Sequence, residues 1–218
     1  MMVNNKESDP NEINIFGRYL TSVLRHRALD LKLKMKPDGY VKVLDILSLK
    51  EKTKSNRVLK SYSLNDVELA VQQDNKNRMK LRGSGKDTEI RANQGHSSKL
   101  KSVINDELLL NSITKSSQIE CCIHGTYYKY LSLILKDGYL SSMTRKHVHF
   151  STKFFGSKDI LSGMRKNCEV LIYLDVEKAL NEGVNIFLSD NEVALVPKSV
   201  SSHLFEKICD ANTGKKLY

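Results

Sequence analysis

At 218 residues with 40% apolar side chains, the chain is long enough to bury a core, as one large domain or two small ones, and too apolar for a disordered polyelectrolyte. Its formal net charge of +10 points to a polyanionic partner, nucleic acid first and an anionic membrane surface second. Four cysteines with neither CxxC spacing nor a dense framework exclude a disulfide-stapled miniprotein, and no stretch approaches the roughly 20 apolar residues of a membrane span.

The chain begins without an apolar signal region, which together with the cysteines points to the cytoplasm or nucleus. Asp9, Pro10 and Glu12 read as an N-cap, a first-turn proline and a capping-box glutamate that start a helix. Ile13, Phe16, Leu20, Val23 and Leu24 form its apolar stripe. On a 100° wheel Arg25 falls opposite that stripe and His26 on its flank, so on pattern alone they complement the helix dipole.

Pro37-Asp38-Gly39 predicts a turn, 40–43 a strand and 44–49 a second helix. A basic connector (Lys50, Lys52, Lys54, Arg57, Lys60) leads to Ser63-x-x-Asp66, a capping box for a third helix with Leu64, Val67, Ala70 and Val71 inward. Residues 78–82 alternate, Gly83-Ser84-Gly85 turns the chain, and 89–92 pairs back. Helix, strand, helix, helix and a glycine-tipped hairpin is the order of a winged-helix module, which binds nucleic acid through a helix and a basic wing. The polar stretch 97–117 reads as the join to a second unit.

The densest polar chemistry lies in 121–152. Ile123 closes a short apolar run, His124-Gly125-Thr126 follows, and Tyr127, Tyr130, Leu131, Ile134 and Leu135 recur at helical spacing until Asp137-Gly138. His147 and His149 alternate with Val148 and Phe150, so both histidines share one face of a strand. If the two strands are neighbours, His124 and one of them line a common pocket. Beyond, 170–174, 184–188 and 193–196 predict strands and 176–180 a short helix, giving a mixed β-sheet with few helices.

His124, His147 and His149 form a workable zinc set, but no carboxylate accompanies them in the sequence and basic groups crowd them, so no metal is assigned. Taken singly, each histidine reads as a backbone-bonded group at a sheet edge.

A larger pattern runs through these pieces. Val23-Leu24-Arg25-His26, Pro37-Asp38-Gly39-Tyr40-Val41, Lys76-Asn77-Arg78, Arg91-Ala92-Asn93-Gln94-Gly95-His96-Ser97, His124-Gly125-Thr126 and Met143-Thr144-Arg145-Lys146-His147-Val148-His149-Phe150-Ser151 together resemble the tRNA 2′-phosphotransferase family, in the family's order. The resemblance implies an α+β protein: a winged-helix RNA-binding lobe over 1–105 and an ADP-ribosyltransferase-like NAD-binding lobe over 106–218. It implies a transferase that removes the internal 2′-phosphate of spliced tRNA. In that chemistry the RNA phosphate attacks the nicotinamide ribose of NAD and expels nicotinamide. The ribose 2″-hydroxyl then attacks phosphorus, leaving a 2′-hydroxyl RNA and ADP-ribose 1″,2″-cyclic phosphate.

It further implies that Arg25, His26, Arg78 and Arg145 form the catalytic, phosphate-holding tetrad, with Lys76 near the same phosphate. Planar guanidinium forks suit a phosphate dianion, and a histidine can donate or exchange a proton. His124, Gly125, Thr126 and His149 would hold NAD, Gly125 by clearing space for the dinucleotide backbone, and Arg165 with Ser162-Gly163-Met164 its phosphates. Glu192 is assigned no catalytic role, since the nucleophile is already an anion. Tyr127 and Tyr128, where relatives carry small or polar residues, are equally readable as core. Neither a membrane nor an obligate protein partner is implied. Two alternatives stay open on the residues: an ADP-ribosyltransferase that caps nucleic-acid phosphates, and a winged-helix binder with an inactive second lobe.

Overall fold

In the computed structural model, which describes residues 9–154, 164 and 167–218, helix α1 (Pro10–Ser22) begins where the sequence places it. The Asp9 carboxylate accepts the Asn11 N–H at 3.0 Å and Pro10 takes the first turn. Glu12 does not close a capping box. It accepts instead from Ser55 Oγ at 2.7 Å and from the Tyr62 hydroxyl, two donors from distant parts of the chain.

Ile13, Phe16, Leu20, Val23 and Leu24 are all buried and pack against α2 (Val43–Leu47) and α3 (Leu64–Gln72) in one apolar core. The capping box of α3 is complete: Ser63 Oγ accepts the Asp66 N–H at 3.3 Å and Asp66 Oδ2 accepts the Ser63 N–H at 2.7 Å. Ser63→Ala is expected to cost about 1 kcal/mol, which lowers Tm by about 2–4 °C in a chain of this size. A thermal melt with unchanged Tm would show that the helix does not need this cap.

The strand β1 (Val41–Lys42) is two residues long, and its sheet is completed by β2 (Met79–Arg82) and β3 (Glu89–Ala92) in the order β1-β3-β2, all antiparallel. The predicted hairpin stands, with Met79 opposite Ala92 and Arg82 opposite Glu89. At its turn Gly83 has φ +78°, and a Cβ there would lie 2.7 Å from the Asp87 carbonyl oxygen, so only glycine fits.

The second unit is built on β4 (Asn111–Ile113), β5 (Ile123–Thr126), β7 (His147–Ser151), β8 (Val170–Leu174), β9 (Ile186–Leu188), β10 (Val193–Pro197) and β12 (Phe205–Asp210). They form a seven-stranded sheet in the order β12-β8-β5-β7-β10-β9-β4. Every neighbouring pair in it is antiparallel, which corrects the mixed sheet read from the sequence. A continuous apolar run such as 170–174 reports burial on both faces and carries no information about strand direction. A small sheet pairs β6 (Tyr139–Ser141) with β11 (Ser199–Ser201), and α6 (Val176–Asn181) follows β8.

Two other expectations change. Ile123 opens β5 rather than closing a strand, so His124, Gly125 and Thr126 are themselves strand residues. Helix α5 (Tyr128–Asp137) ends at Gly138, φ +75°, as predicted, but of its apolar stripe only Ile134 is buried while Tyr130 and Leu135 are exposed. The join at 97–117 is no loose linker. It holds a short 3-10 turn (Ser98–Ser102), helix α4 (Asp106–Leu109) and the edge strand β4, and Leu100, Ile104, Leu109 and Leu110 are buried with Phe187, Val193 and Leu195. Among the described residues no helix is long and apolar enough to cross a membrane.

Candidate active site

Past Ser22 the first helix widens into a π-helical turn, Val23–Arg27. An i→i+5 turn re-phases side chains relative to the 100° wheel, and such turns recur at functional sites. Arg25 is half-buried, and its Nε and Nη2 are buried and meet no acceptor among the described residues. His26 stays exposed.

Gly95 makes this possible. Its φ is +88°, and a Cβ on it would stand 3.1 Å from Arg25 Nε and 3.2 Å from Cζ, so the guanidinium lies against bare backbone. Burial, then Arg145 and Arg78, pull the Arg25 pKa down to about 10, which leaves it cationic at neutral pH.

The next three residues tie the two units together. The Ser97 N–H donates to the Arg25 carbonyl at 2.9 Å, the Lys146 N–H to the His96 carbonyl at 3.0 Å and the Ser98 N–H to the Thr144 carbonyl at 3.0 Å. Ser97 also pairs with Arg145 as an isolated bridge. Main-chain bonds thus hold Arg25 of the first unit and Arg145 of the second at one place.

Arg78 enters from the turn after α3. Its N–H donates to Asp74 Oδ2 at 2.6 Å and its Nη2 lies 3.5 Å from Asp74 Oδ1. Arg145 Nη1 donates to His149 Nε2 at 3.4 Å, a contact that needs the neutral ring. His26, exposed but partly desolvated by its neighbours, is shifted below the usual histidine range, by that desolvation first and then by Arg145 and Arg25. The structure therefore brings Arg25, His26, Arg78 and Arg145 into one electrostatic cluster. Lys76 is exposed, its carbonyl held by Asn191 Nδ2 at 3.0 Å, and it stands outside the couplings that perturb Arg25.

On the sheet side β5 and β7 are neighbours, as the shared pocket requires. The His124 Nδ1–H donates to the His149 carbonyl at 2.9 Å, and the ring packs edge-on to Phe150 at 5.8 Å. A carbonyl can only accept, so Nδ1 carries the proton and, in the neutral ring, Nε2 is the acceptor. His149 is pushed well below its ordinary pKa by burial, then by Arg145, His147, Arg25 and His124, and is neutral.

Gly125 is closely packed from within the chain. A Cβ there would lie 2.7 Å from Met164 Cγ and 2.9 Å from Cys168 Sγ, so the missing side chain makes room for this chain's own core. Thr126 is buried, its carbonyl accepting the Glu169 N–H at 2.8 Å. Arg165, with Ser162 and Gly163, lies outside the described residues. Neither tyrosine is core: the Tyr127 hydroxyl donates to Asn167 Oδ1 at 3.1 Å, and Tyr128 is exposed with its hydroxyl on Asp210. Glu192 sits in the turn between β9 and β10, with Thr152 Oγ1 donating to its carbonyl at 2.7 Å.

Sequence reasoning missed the layer beneath the cluster. Asp106 Oδ1 accepts Lys146 Nζ at 2.7 Å and its Oδ2 pairs with His147 Nε2 at 3.1 Å. His147 is thus a buried partner of a carboxylate. His96 is 1% exposed and held neutral, with a pKa of about 3, by burial and then by Arg25, His147 and Lys146. His96, Lys146 and His147 stand within the motif segments but carry no assigned role there, and nothing in the polar stretch marks Asp106.

Three guanidiniums beside two neutral histidines make a positive field suited to a dianion. The family model described as "RNA 2′-phosphotransferase, Tpt1 / KptA family" matches residues 11–198. The chain is 34% identical over 197 residues to tRNA 2′-phosphotransferase 1 of Danio rerio, covering 88% of this chain and 81% of that one. It is 35% identical over 194 residues to tRNA 2′-phosphotransferase 1 of Mus musculus, covering 88% and 73%. With the tRNA 2′-phosphotransferase of Saccharomyces cerevisiae it shares 32% identity over 207 residues, covering 93% and 85%.

Proposed function

We propose, for a chain that belongs to the RNA 2′-phosphotransferase family, that it removes the internal 2′-phosphate of spliced tRNA by transferring it to NAD. The observation that carries this reading is the convergence of Arg25, Arg78 and Arg145, with two buried guanidinium nitrogens of Arg25 lacking an acceptor among the described residues. A buried donor left unmade costs roughly 1–3 kcal/mol, more when charged. A site that tolerates this is preorganised for an anionic ligand.

The order α1, β1, α2, α3, β2, β3 supports a winged-helix lobe over 1–105, and the antiparallel sheet supports an ADP-ribosyltransferase-like lobe over 106–218. Asp190, accepting Lys80 at 2.7 Å and Arg91 at 2.8 Å, helps tie the second unit to the first. NAD, when bound, supplies the electrophilic ribose carbon and leaves its nicotinamide behind.

The chain's own residues do the rest. Arg25 and Arg145 fork the phosphate, and Arg78 adds a third guanidinium. The same donors meet the charge that grows on the phosphoryl oxygens in the transfer to the ribose hydroxyl. His26, neutral near pH 7, can pass a proton at the phosphate. His124 Nε2 can accept from a ribose hydroxyl, and the neutral His149 beside Arg145 fits a polar, anionic dinucleotide. An RNA substrate accords with a cytoplasmic or nuclear site of action.

His124→Ala is expected to depress nicotinamide release at limiting NAD by about tenfold or more, the value of one hydrogen bond to a polar ligand, and to leave RNA affinity nearly intact. Nicotinamide release dependent on 2′-phosphorylated RNA, run beside filter binding of the same RNA, checks both. Equal loss in the two assays contradicts the assignment of His124 to the nucleotide side.

A further inference from the structure

Arg78 faces two neighbourhoods. One is the cluster with Arg25 and Arg145; the other is a cavity of about 460 Å³ between α1 and α3, which Arg78 also lines. That volume lies within the roughly 300–1,000 Å³ of pockets that hold small ligands.

The cavity's chemistry is that of a nucleotide subsite. Asn14 on α1 and Gln73 and Asn75 at the end of α3 bring neutral amides, each with donors and an acceptor, the groups that read the edge of an unstacked base. Arg18 lines the same space as a second guanidinium, with its Nε bonded to Asn14 Oδ1 at 3.2 Å. The one carboxylate on the wall, Asp74, is already engaged by the Arg78 N–H at 2.6 Å, the Lys76 N–H at 3.3 Å and Arg78 Nη2 at 3.5 Å. It therefore offers little repulsion to a polyanion. Gly17 keeps the floor low: a side chain there would fill the space in front of Ala70.

We propose that this cavity binds the nucleotide adjacent to the phosphorylated one in the RNA substrate, with its base among Asn14, Gln73 and Asn75 and its phosphodiester on Arg18. Arg78, shared by both sites, sets the register between them. The inference rests on Arg78 being a ligand of the 2′-phosphate.

Fluorescence anisotropy on the full chain, with a labelled trinucleotide carrying an internal 2′-phosphate, tests it. Arg18 on α1 and Gln73 at the C-cap of α3 are exposed residues whose truncation leaves the fold intact. Arg18→Ala and Gln73→Ala should each weaken trinucleotide binding about fivefold to tenfold, the size of one lost polar contact. Arg18→Ala should also reduce the slope of log K against log salt by about 0.7, one phosphate contact on a single strand, while Gln73→Ala leaves that slope unchanged. Competition by a 2′-phosphorylated mononucleoside, too short to enter the cavity, should be the same in all three proteins. Unchanged trinucleotide affinity in both variants, or equal weakening for trinucleotide and mononucleoside, overturns the subsite while leaving the phosphate site standing. A wild-type chain that binds neither ligand overturns the phosphate site as well.

Discussion

Arg25→Lys is expected to lower kcat/KM for 2′-phosphate removal by about 30-fold to several thousand-fold, although the formal charge is kept. Breaking a hydrogen-bonded charge pair in a water-poor site costs roughly 2–5 kcal/mol, and each decade of rate corresponds to about 1.4 kcal/mol. Lysine brings a single compact ammonium in place of the planar fork that packs against Gly95. Burial that already pulls the arginine down to about 10 would weigh more heavily on an ammonium, which titrates more readily. Steady-state kinetics with 2′-phosphorylated RNA measure the effect. Wild-type kcat/KM in this variant would show that charge alone suffices at residue 25.

Acidification should destabilise the protein, and His96 should account for a defined share. Its folded pKa of about 3 lies below the ordinary value of 6.5, because burial and the neighbouring Arg25, His147 and Lys146 disfavour its charged form and Asp106 offsets them only in part. Below about pH 6.5 the unfolded chain gains a proton on this ring that the folded chain refuses. Stability is therefore complete above that pH and is lost as the pH falls, by about 1.4 kcal/mol per unit. Between pH 7 and pH 5 His96 contributes a loss of roughly 2 kcal/mol on this basis. His149, also depressed, adds a loss of the same sign. Urea unfolding at the two pH values should show a fall that is smaller by about 2 kcal/mol in His96→Gln. An identical fall in both proteins would mean that the His96 ring reaches water in the native state.

Much of the scaffold was legible because local rules decide it. The Asp9 and Ser63 caps, the apolar stripe of α1, the Gly83 turn and the Gly138 stop of α5 each depend on residues within about one helical turn or one hairpin. Arg25, His26, Arg78 and Arg145, grouped from motif order, fall in one electrostatic cluster; Lys76, grouped with them, is exposed, and Arg165 lies outside the described residues.

Strand direction in the large sheet, the burial of the Arg25 guanidinium against Gly95 and the close packing of Met164 and Cys168 at Gly125 were not legible. Capping and periodicity act through bonds a few residues long, whereas these features follow from contacts between segments far apart in the chain. The π-helical turn at 23–27 gains its meaning only when Gly95 lies under Arg25 and Ser97 bonds its carbonyl. Asp106, in a polar stretch with no periodic signal, becomes a buried anchor only when β7 delivers Lys146 and His147 to it. By itself the sequence determined the elements and the chemical inventory, since propensity, capping and burial pattern are local. The tertiary structure decided which charges meet, because placing cations from two units around one point needs long-range main-chain bonds and a layer beneath them in which Lys146 is paired with Asp106 and His96 is neutral.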